Sequence, residues 1–259
     1  MSRTRPQPEA NQAPVVQRMR IRYAKRGPLR FTSHRDFARA FERAIRRAGV
    51  PIAYSQGFTP HPKISYASAA PTGVASEAEY VEIALQDPAD PDAIRAALDD
   101  ALSPGLDVLQ VVVAREGTSL ADLIDASRWR VELPGVSEDR LMAAVRAFES
   151  AGQVLVERLT KQGRRQFDAR AAVITITTGG VPDTAGGPGY AILDLVVRQV
   201  TPSVRPDDVL AGLRVVADLE PPVPPRVIRQ AQGKLTPQGE IVDPLLDGET
   251  IDSERAAHR

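Results

Sequence analysis

The alternation of apolar and polar positions divides the chain into short elements that repeat in a recognisable order. In "VQRMRIRYAK" the positions Val16, Arg18, Arg20 and Arg22 alternate with Gln17, Met19, Ile21 and Tyr23, a period of two that predicts a half-buried strand with one apolar face and one face of arginines. After Gly27 and Pro28, the run "LRFTSHRDFARAFERAIRRAG" places Phe37, Ala40, Phe41, Ala44, Ile45 and Ala48 at helical spacing. Ser33 with Asp36 three residues later forms a capping signal, and Gly49 followed by Val50 and Pro51 forms a stop. "KISYASA" and "AEYVEIALQ", with Tyr80, Ile83 and Leu85 at apolar positions, read as strands. "DAIRAALDDALSPG" after Pro91 reads as a helix, and "LDVLQVVVAR" as a further strand. The order strand, helix, strand, strand, helix, strand over residues 16–115 is the ferredoxin-like βαββαβ pattern, an antiparallel sheet with helices on one face.

A similar order follows. "SRWRVEL" is a strand, "SEDRLMAAVRAFESAG" a helix with Leu141, Val145 and Phe148 inward, and "QVLVERLT" a strand. "AVITITT" and "YAILDLVVRQV" are strands flanking the glycine-rich "GGVPDTAGGPG" hairpin loop, Pro206 opens a helix through "DDVLAGLRVV", and "RVIRQAQG" closes the sheet. With one extra strand allowed, residues 127–233 form a second ferredoxin-like unit. "SLADLIDA", within 116–126, is expected as a linking helix. Residues 1–15 and the acidic stretch 234–259 carry little periodicity and are expected as disordered tails. The fold class expected is therefore α+β, two ferredoxin-like units in tandem with antiparallel sheets and disordered termini.

Composition narrows the chemistry. The 259 residues are 42% hydrophobic, enough for two compact halves each with its own core. The chain holds no cysteine, which excludes from it a disulfide framework, a zinc-thiolate site and an iron–sulfur cluster on its own thiolates. "MSRTRPQPEANQAP" lacks the apolar core of a signal peptide, and no apolar run approaches the ~20 residues of a membrane span, so a soluble cytoplasmic protein without membrane contact is expected. The net charge is zero but unevenly distributed: between Val16 and Lys63, 12 basic residues face only Asp36 and Glu42. Helical spacing puts Arg35, Arg39, Arg43 and Arg46 or Arg47 on one outer stripe, where like charges repel and helix stability gains nothing from them. A basic stripe of this kind points to a polyanion such as RNA, against the plainer reading of a solvated helix face. Arg18, Arg20 and Arg22 join that field only if their strand face is left uncovered.

"YSQGFTPHPKISYASAAPTG" gathers turn-forming residues between the first helix and the next strand. Gly57 suggests a position with positive φ or close approach, and Pro60 and Pro62 stiffen the chain around His61. One reading is a rigid connection. The other is a ligand-binding loop in which Tyr54, Ser55, Gln56, Phe58, His61 and Lys63 present groups to a ligand. His34, at the first turn of the basic helix, is a candidate hydrogen-bonding group or general base, and His34 and His61 are the candidate catalytic residues if any catalysis occurs. A metal site needs a third ligand that spacing does not specify, Glu77 and Glu79 being unforced, so neither metal nor cofactor is expected. No P-loop, dinucleotide fingerprint or nucleophile elbow is present. Trp129 reads as core, and Arg164, Arg165, Arg226, Arg229 and Lys234 are too scattered to count as a site.

The segment from Leu29 to Ile83, "LRFTSHRDFARAFERAIRRAGVPIAYSQGFTPHPKISYASAAPTGVASEAEYVEI", resembles the signature of the radical SAM-linked protein family, a bacterial domain of unknown function found beside or fused to a cobalamin-binding-type radical SAM protein. The resemblance implies a radical SAM protein as partner, held non-covalently by a stand-alone chain, with the partner carrying the iron–sulfur cluster. The leading expectation is a non-catalytic subunit that binds RNA or another substrate for that enzyme. A metal-independent endoribonuclease using a histidine, and a protein–protein module without RNA, are the alternatives.

Overall fold

The computed structural model describes residues 14–56, 58–160, 163–181 and 189–246. Among the described residues it is a mixed α+β protein with four α-helices and mostly antiparallel sheet, divided into two units. The first takes in residues up to Gly73 with Glu79–Ala121, and the second Val74–Ala78 with Asp122–Pro244.

The first unit runs β1 (Gln17–Lys25), α1 (His34–Arg47), β2 (Ile64–Tyr66), β3 (Ala75–Leu85), α2 (Pro91–Ala101) and β4 (Val108–Val113). Its strands lie in the order β4-β1-β3-β2. Alternation on β1 sends Met19, Ile21 and Tyr23 to one face, where they are buried with Phe37, Phe41, Ala44 and Ile45 of α1, Ile94 and Leu98 of α2, and Val81, Ile83 and Leu85 of β3. Tyr23 stacks on Phe37 with ring centroids 4.2 Å apart, fixing α1 against β1. Both helices therefore cover one face of this sheet.

The second unit runs β5 (Ala126–Pro134), α3 (Glu138–Ser150), β6 (Leu155–Thr160), β7 (Gly163–Asp168), β8 (Val173–Val181), β9 (Tyr190–Arg198), α4 (Pro206–Ala217), β10 (Arg226–Leu235) and β11 (Ile241–Val242). The main sheet has the order β10-β5-β9-β8, with β11 on β10 and the first residues of β3, Ala75 and Ser76, parallel to Ile228 and Arg229 of β10. Trp129, Val131 and Leu133 of β5 and Leu193, Leu195 and Val197 of β9 are buried, as are Leu141, Val145 and Phe148 of α3 and Val209 and Leu213 of α4. Trp129 is core, 6% exposed, and the buried Arg229 guanidinium lies 5.3 Å from its ring. Gly212 has a packing reason: a Cβ there would lie 2.8 Å from the Phe148 ring.

The structure departs from expectation in three places. "QVLVERLT" does not enter the main sheet; β6 and β7 pair with each other as a separate hairpin. That hairpin is tied to the start of α4 by Arg158, whose Nε donates to Asp208 at 3.0 Å and whose Nη2 donates to the Ser203 carbonyl at 2.7 Å. The linking helix expected within 116–126 is a single 3-10 turn, Leu120–Leu123. Residues 234–246, expected in the acidic tail, complete β10, form β11 and end in a 3-10 turn, Pro244–Leu246. Gly233 shows why: a Cβ would lie 1.8 Å from the Val242 carbonyl oxygen, so the returning chain packs directly on its backbone. The remaining tail residues, 1–13 and 247–259, and the central residues of the glycine-rich loop, 182–188, lie outside the described residues. Among the described residues no helix is long and apolar enough to cross a membrane.

Candidate nucleic-acid interface

Helix α1 begins where Ser33 caps it: the hydroxyl accepts from the Asp36 N–H at 3.2 Å and donates to the Asp36 carboxylate at 2.6 Å. It ends at Gly49, whose φ of +64° is one a side chain resists. Because Phe37, Phe41, Ala44 and Ile45 are buried, the same 3.6-residue period leaves Arg35, Arg39, Arg43, Arg46 and Arg47 exposed. Arg47 donates to the Ala101 carbonyl. Among the described residues, Arg35, Arg39, Arg43 and Arg46 have no ion-pair partner, so their charge is presented to solvent unneutralised.

Four other basic residues of this segment, Arg18, Arg20, Lys25 and Arg26, are engaged within the fold and do not extend that stripe. Arg20 is 1% exposed; its Nε donates to Glu82 at 3.1 Å and its Nη2 to the Thr118 carbonyl and hydroxyl at 3.0 and 2.6 Å. Arg18 reaches the same Glu82 at 3.4 Å. Arg26 pairs with Asp107 at 2.8 Å. Lys25 is buried, its Nζ donating to the Ala70 and Pro71 carbonyls at 3.2 and 3.3 Å. Glu79, also buried, accepts from the Ala70 N–H at 3.1 Å. Two buried charges of opposite sign thus hold the end of the "SYASAAPTG" loop, a role no local pattern announces.

The proline-rich loop is tied at its base. Ser55 N–H donates to the His61 carbonyl at 2.8 Å and His61 N–H to the Ser55 hydroxyl at 3.0 Å. Ala53, Lys63 and Ala84 exchange backbone bonds of 2.8 to 3.0 Å, and Tyr54 bridges Pro62. Above that base Gln56, Phe58, Pro60, His61 and Lys63 are exposed, Phe58 by 78%, while Tyr54, Ser55 and Pro62 are half-buried. Gly57 lies outside the described residues.

His34 is exposed at the start of α1, its ring meeting Tyr66 edge-on at 5.0 Å. The Tyr66 hydroxyl is buried with no hydrogen-bond partner among the described residues. Burial, and secondarily the Glu42 carboxylate, raise this phenol well above the ordinary tyrosine range, so it stays protonated. His34 meets Tyr66 whereas His61 is tied to Ser55, and no group of three or more His, Asp or Glu side chains among the described residues is set to hold a metal ion. Elsewhere, Arg164 is an exposed residue of the β6–β7 hairpin and pairs with Glu157 at 3.5 Å; Arg165 is exposed on the same strand. Arg226 reaches Glu132 at 3.6 Å and Lys234 reaches Asp125 at 2.9 Å.

A family model described as "Uncharacterized protein conserved in bacteria (DUF2344)" matches residues 18–206, which include β1 from Arg18 onward and the whole of α1. No curated protein matches the chain. Among solved structures, the chain is similar to one described as "Crystal Structure of an Unknown Protein from Galdieria sulphuraria", with 15% identity over 82% of this chain and 98% of that one and a TM-score of 0.24.

Proposed function

Given that the chain belongs to the DUF2344 family of conserved bacterial proteins, we propose that it is an RNA-binding, non-catalytic accessory subunit built from two ferredoxin-like units, working beside a radical SAM enzyme. One observation carries the RNA reading: Arg35, Arg39, Arg43 and Arg46 form an exposed stripe with no ion-pair partner among the described residues. Four like charges on one helix face repel one another, and phosphates that release counterions on binding relieve that repulsion. Phe58, exposed at the tip of a loop whose base is tied by hydrogen bonds, offers a base a stacking surface. The ferredoxin-like reading is supported by the order last, first, third, second in each main sheet, with β6 and β7 as an insertion in the second unit. The radical SAM partner follows from the resemblance of residues 29–83, and the absence of cysteine fits a partner that holds the cluster.

Affinity purification of the tagged full chain from its host, with ultraviolet crosslinking and with or without nuclease, tests this. Recovery of a defined RNA crosslinked near α1 together with a radical SAM protein is the expected result. A protein partner retained unchanged after nuclease, with no crosslinked RNA, would replace the proposal with the protein–protein module. A second reading, a metal-independent endoribonuclease, is favoured by His34 standing exposed beside the protonated Tyr66. It requires RNA cleavage in the presence of chelator that disappears in His34→Ala or His61→Ala; chain-independent or absent cleavage removes it.

A further inference from the structure

The connection between β1 and α1 leaves one large aromatic ring in solvent. Phe31 closes the 3-10 turn Gly27–Phe31 and is 58% exposed, four residues before Arg35, the first arginine of the α1 stripe. We propose that the RNA bound by α1 is single-stranded and that Phe31, braced by Arg30, stacks an unpaired base at the start of that stripe. The inference rests on the RNA reading and names the class of strand.

The ring is exposed but held. The Arg30 guanidinium carbon lies 4.4 Å from the ring centroid, and Arg30 Nη1 donates to the Gly27 carbonyl at 3.0 Å, which fixes the guanidinium across the turn. One ring edge faces Gly73, two of its carbons lying 3.6 and 3.8 Å from where a Cβ would stand, and the Gly73 N–H donates to the Arg30 carbonyl at 2.8 Å. The Thr32 N–H donates to the Leu29 carbonyl at 2.9 Å and Ser33 then caps α1, so the chain is fastened on both sides of Phe31. A platform already ordered costs little further entropy when a base settles on it. With a guanidinium over one face and Gly73 at one edge, the area still open is what a base would cover, and guanidinium, ring and base then form one stack.

A single exposed phenylalanine is ordinary on a protein surface, so its position carries the inference. Arg35, Arg39, Arg43 and Arg46 suit a phosphate backbone, and the ring at their start takes the face of a base. Of the two acids on α1, Asp36 accepts from the Ser33 hydroxyl at 2.6 Å and Glu42 is half-buried. In a duplex both faces of an internal base are covered by its neighbours, so a ring can receive a base only from an unpaired stretch or an end. Phe58, 78% exposed on the loop before β2, gives the same unit a second ring. An apolar protein partner would also cover Phe31, but the arginines beside it favour a polyanion.

Fluorescence anisotropy of the full chain tests this, with a single-stranded RNA of mixed sequence and the duplex it forms with its complement as probes. The expected result is tighter binding of the single strand, weakened about tenfold in Phe31→Ala with an unchanged salt slope, since stacking releases no counterions, while duplex affinity stays the same. Phe31→Trp should keep the affinity and lose tryptophan emission as the single strand is added, the native Trp129 being 6% exposed and a constant background. Circular dichroism matching the wild type reports an intact fold in both variants. A wild-type chain that binds neither RNA overturns the RNA reading and this inference with it. Duplex bound as tightly as single strand, single-strand affinity unchanged in Phe31→Ala, or unquenched Phe31→Trp overturns the stacking inference alone and leaves the α1 stripe standing.

Discussion

The two units share one strand order, yet they use the sheet face away from their helices in opposite ways. In the first, that face carries Arg20 and Glu82, 1% and 7% exposed, locked to each other and to Thr118 on a crossing segment. In the second, the corresponding face stays open. Arg128, Arg130, Thr175, Thr177 and Asp194 line a shallow depression of about 320 Å³, and Arg130 forks onto Asp194 at 2.9 and 3.0 Å in contact with solvent. The first helices differ too: α1 presents arginines without partners, whereas α3 mixes Arg140 and Arg146 with Glu138, Asp139 and Glu149. The same wiring thus locks an arginine–glutamate pair on the sheet face away from the helices and presents a basic helix surface in one unit, and does neither in the other. Topology sets where side chains can stand, and the residues at those positions decide whether a charge is structural or available.

The contrast is sharpest in stability. Arg20→Met strands a buried carboxylate and should cost about 3 to 5 kcal/mol in denaturant unfolding, while Arg130→Met, which breaks an exposed pair, should cost about 0.2 to 1 kcal/mol. Equal losses at the two positions would break the comparison.

Next in size is the effect on RNA affinity. Arg39→Glu, Arg43→Glu and Arg46→Glu together should reduce binding on the order of a hundredfold and flatten the plot of log affinity against log salt by about three. Arg140→Glu with Arg146→Glu on α3 should leave both unchanged in a filter-binding or anisotropy assay. An equal loss from the α3 pair would mean that binding follows overall charge and not the α1 stripe.

The smallest effect is at Tyr66. Its hydroxyl is buried without a partner, so Tyr66→Phe should leave stability unchanged or raise it by up to about 1 kcal/mol. Burial and the Glu42 carboxylate hold the phenol's pKa in the fold above the ordinary tyrosine value of about 10, so the neutral form is the one the fold holds. Stability is therefore fully present below about pH 10 and falls as pH rises beyond it, because only the unfolded chain then gives up the proton. Thermal melts at rising alkaline pH should show that decline in the wild type and lose this component in Tyr66→Phe. A destabilised Tyr66→Phe would instead reveal a hydrogen bond at that hydroxyl.

Much of the fold was legible because period and punctuation are local. The buried set Phe37, Phe41, Ala44 and Ile45, the Ser33 cap and the Gly49 stop all follow from positions within one element. The β6–β7 hairpin was not legible as a separate sheet, since "QVLVERLT" alternates like any other strand and only the Arg158–Asp208 pairing, fifty residues apart, says where it docks. The candidate surface was legible in the same uneven way. The exposed arginines of α1 were countable from helical spacing, while the arginines of β1 could be read as surface or interior until Glu82 and Thr118 were placed beside Arg20.

The sequence by itself determined the four main helices and most of the strands, which face of each is apolar, and that 12 basic residues crowd between Val16 and Lys63. Only the tertiary structure decided that Lys25 and Glu79 would be buried holding a loop, that Arg20 would be spent inside on Glu82, and that Arg35, Arg39, Arg43 and Arg46 would be left to solvent. The reason is range: periodicity is set by bond geometry over a few residues, whereas the fate of a charge depends on a partner brought to within hydrogen-bonding distance from 45 residues away, as for Lys25 and the Ala70 carbonyl, or 62, as for Arg20 and Glu82.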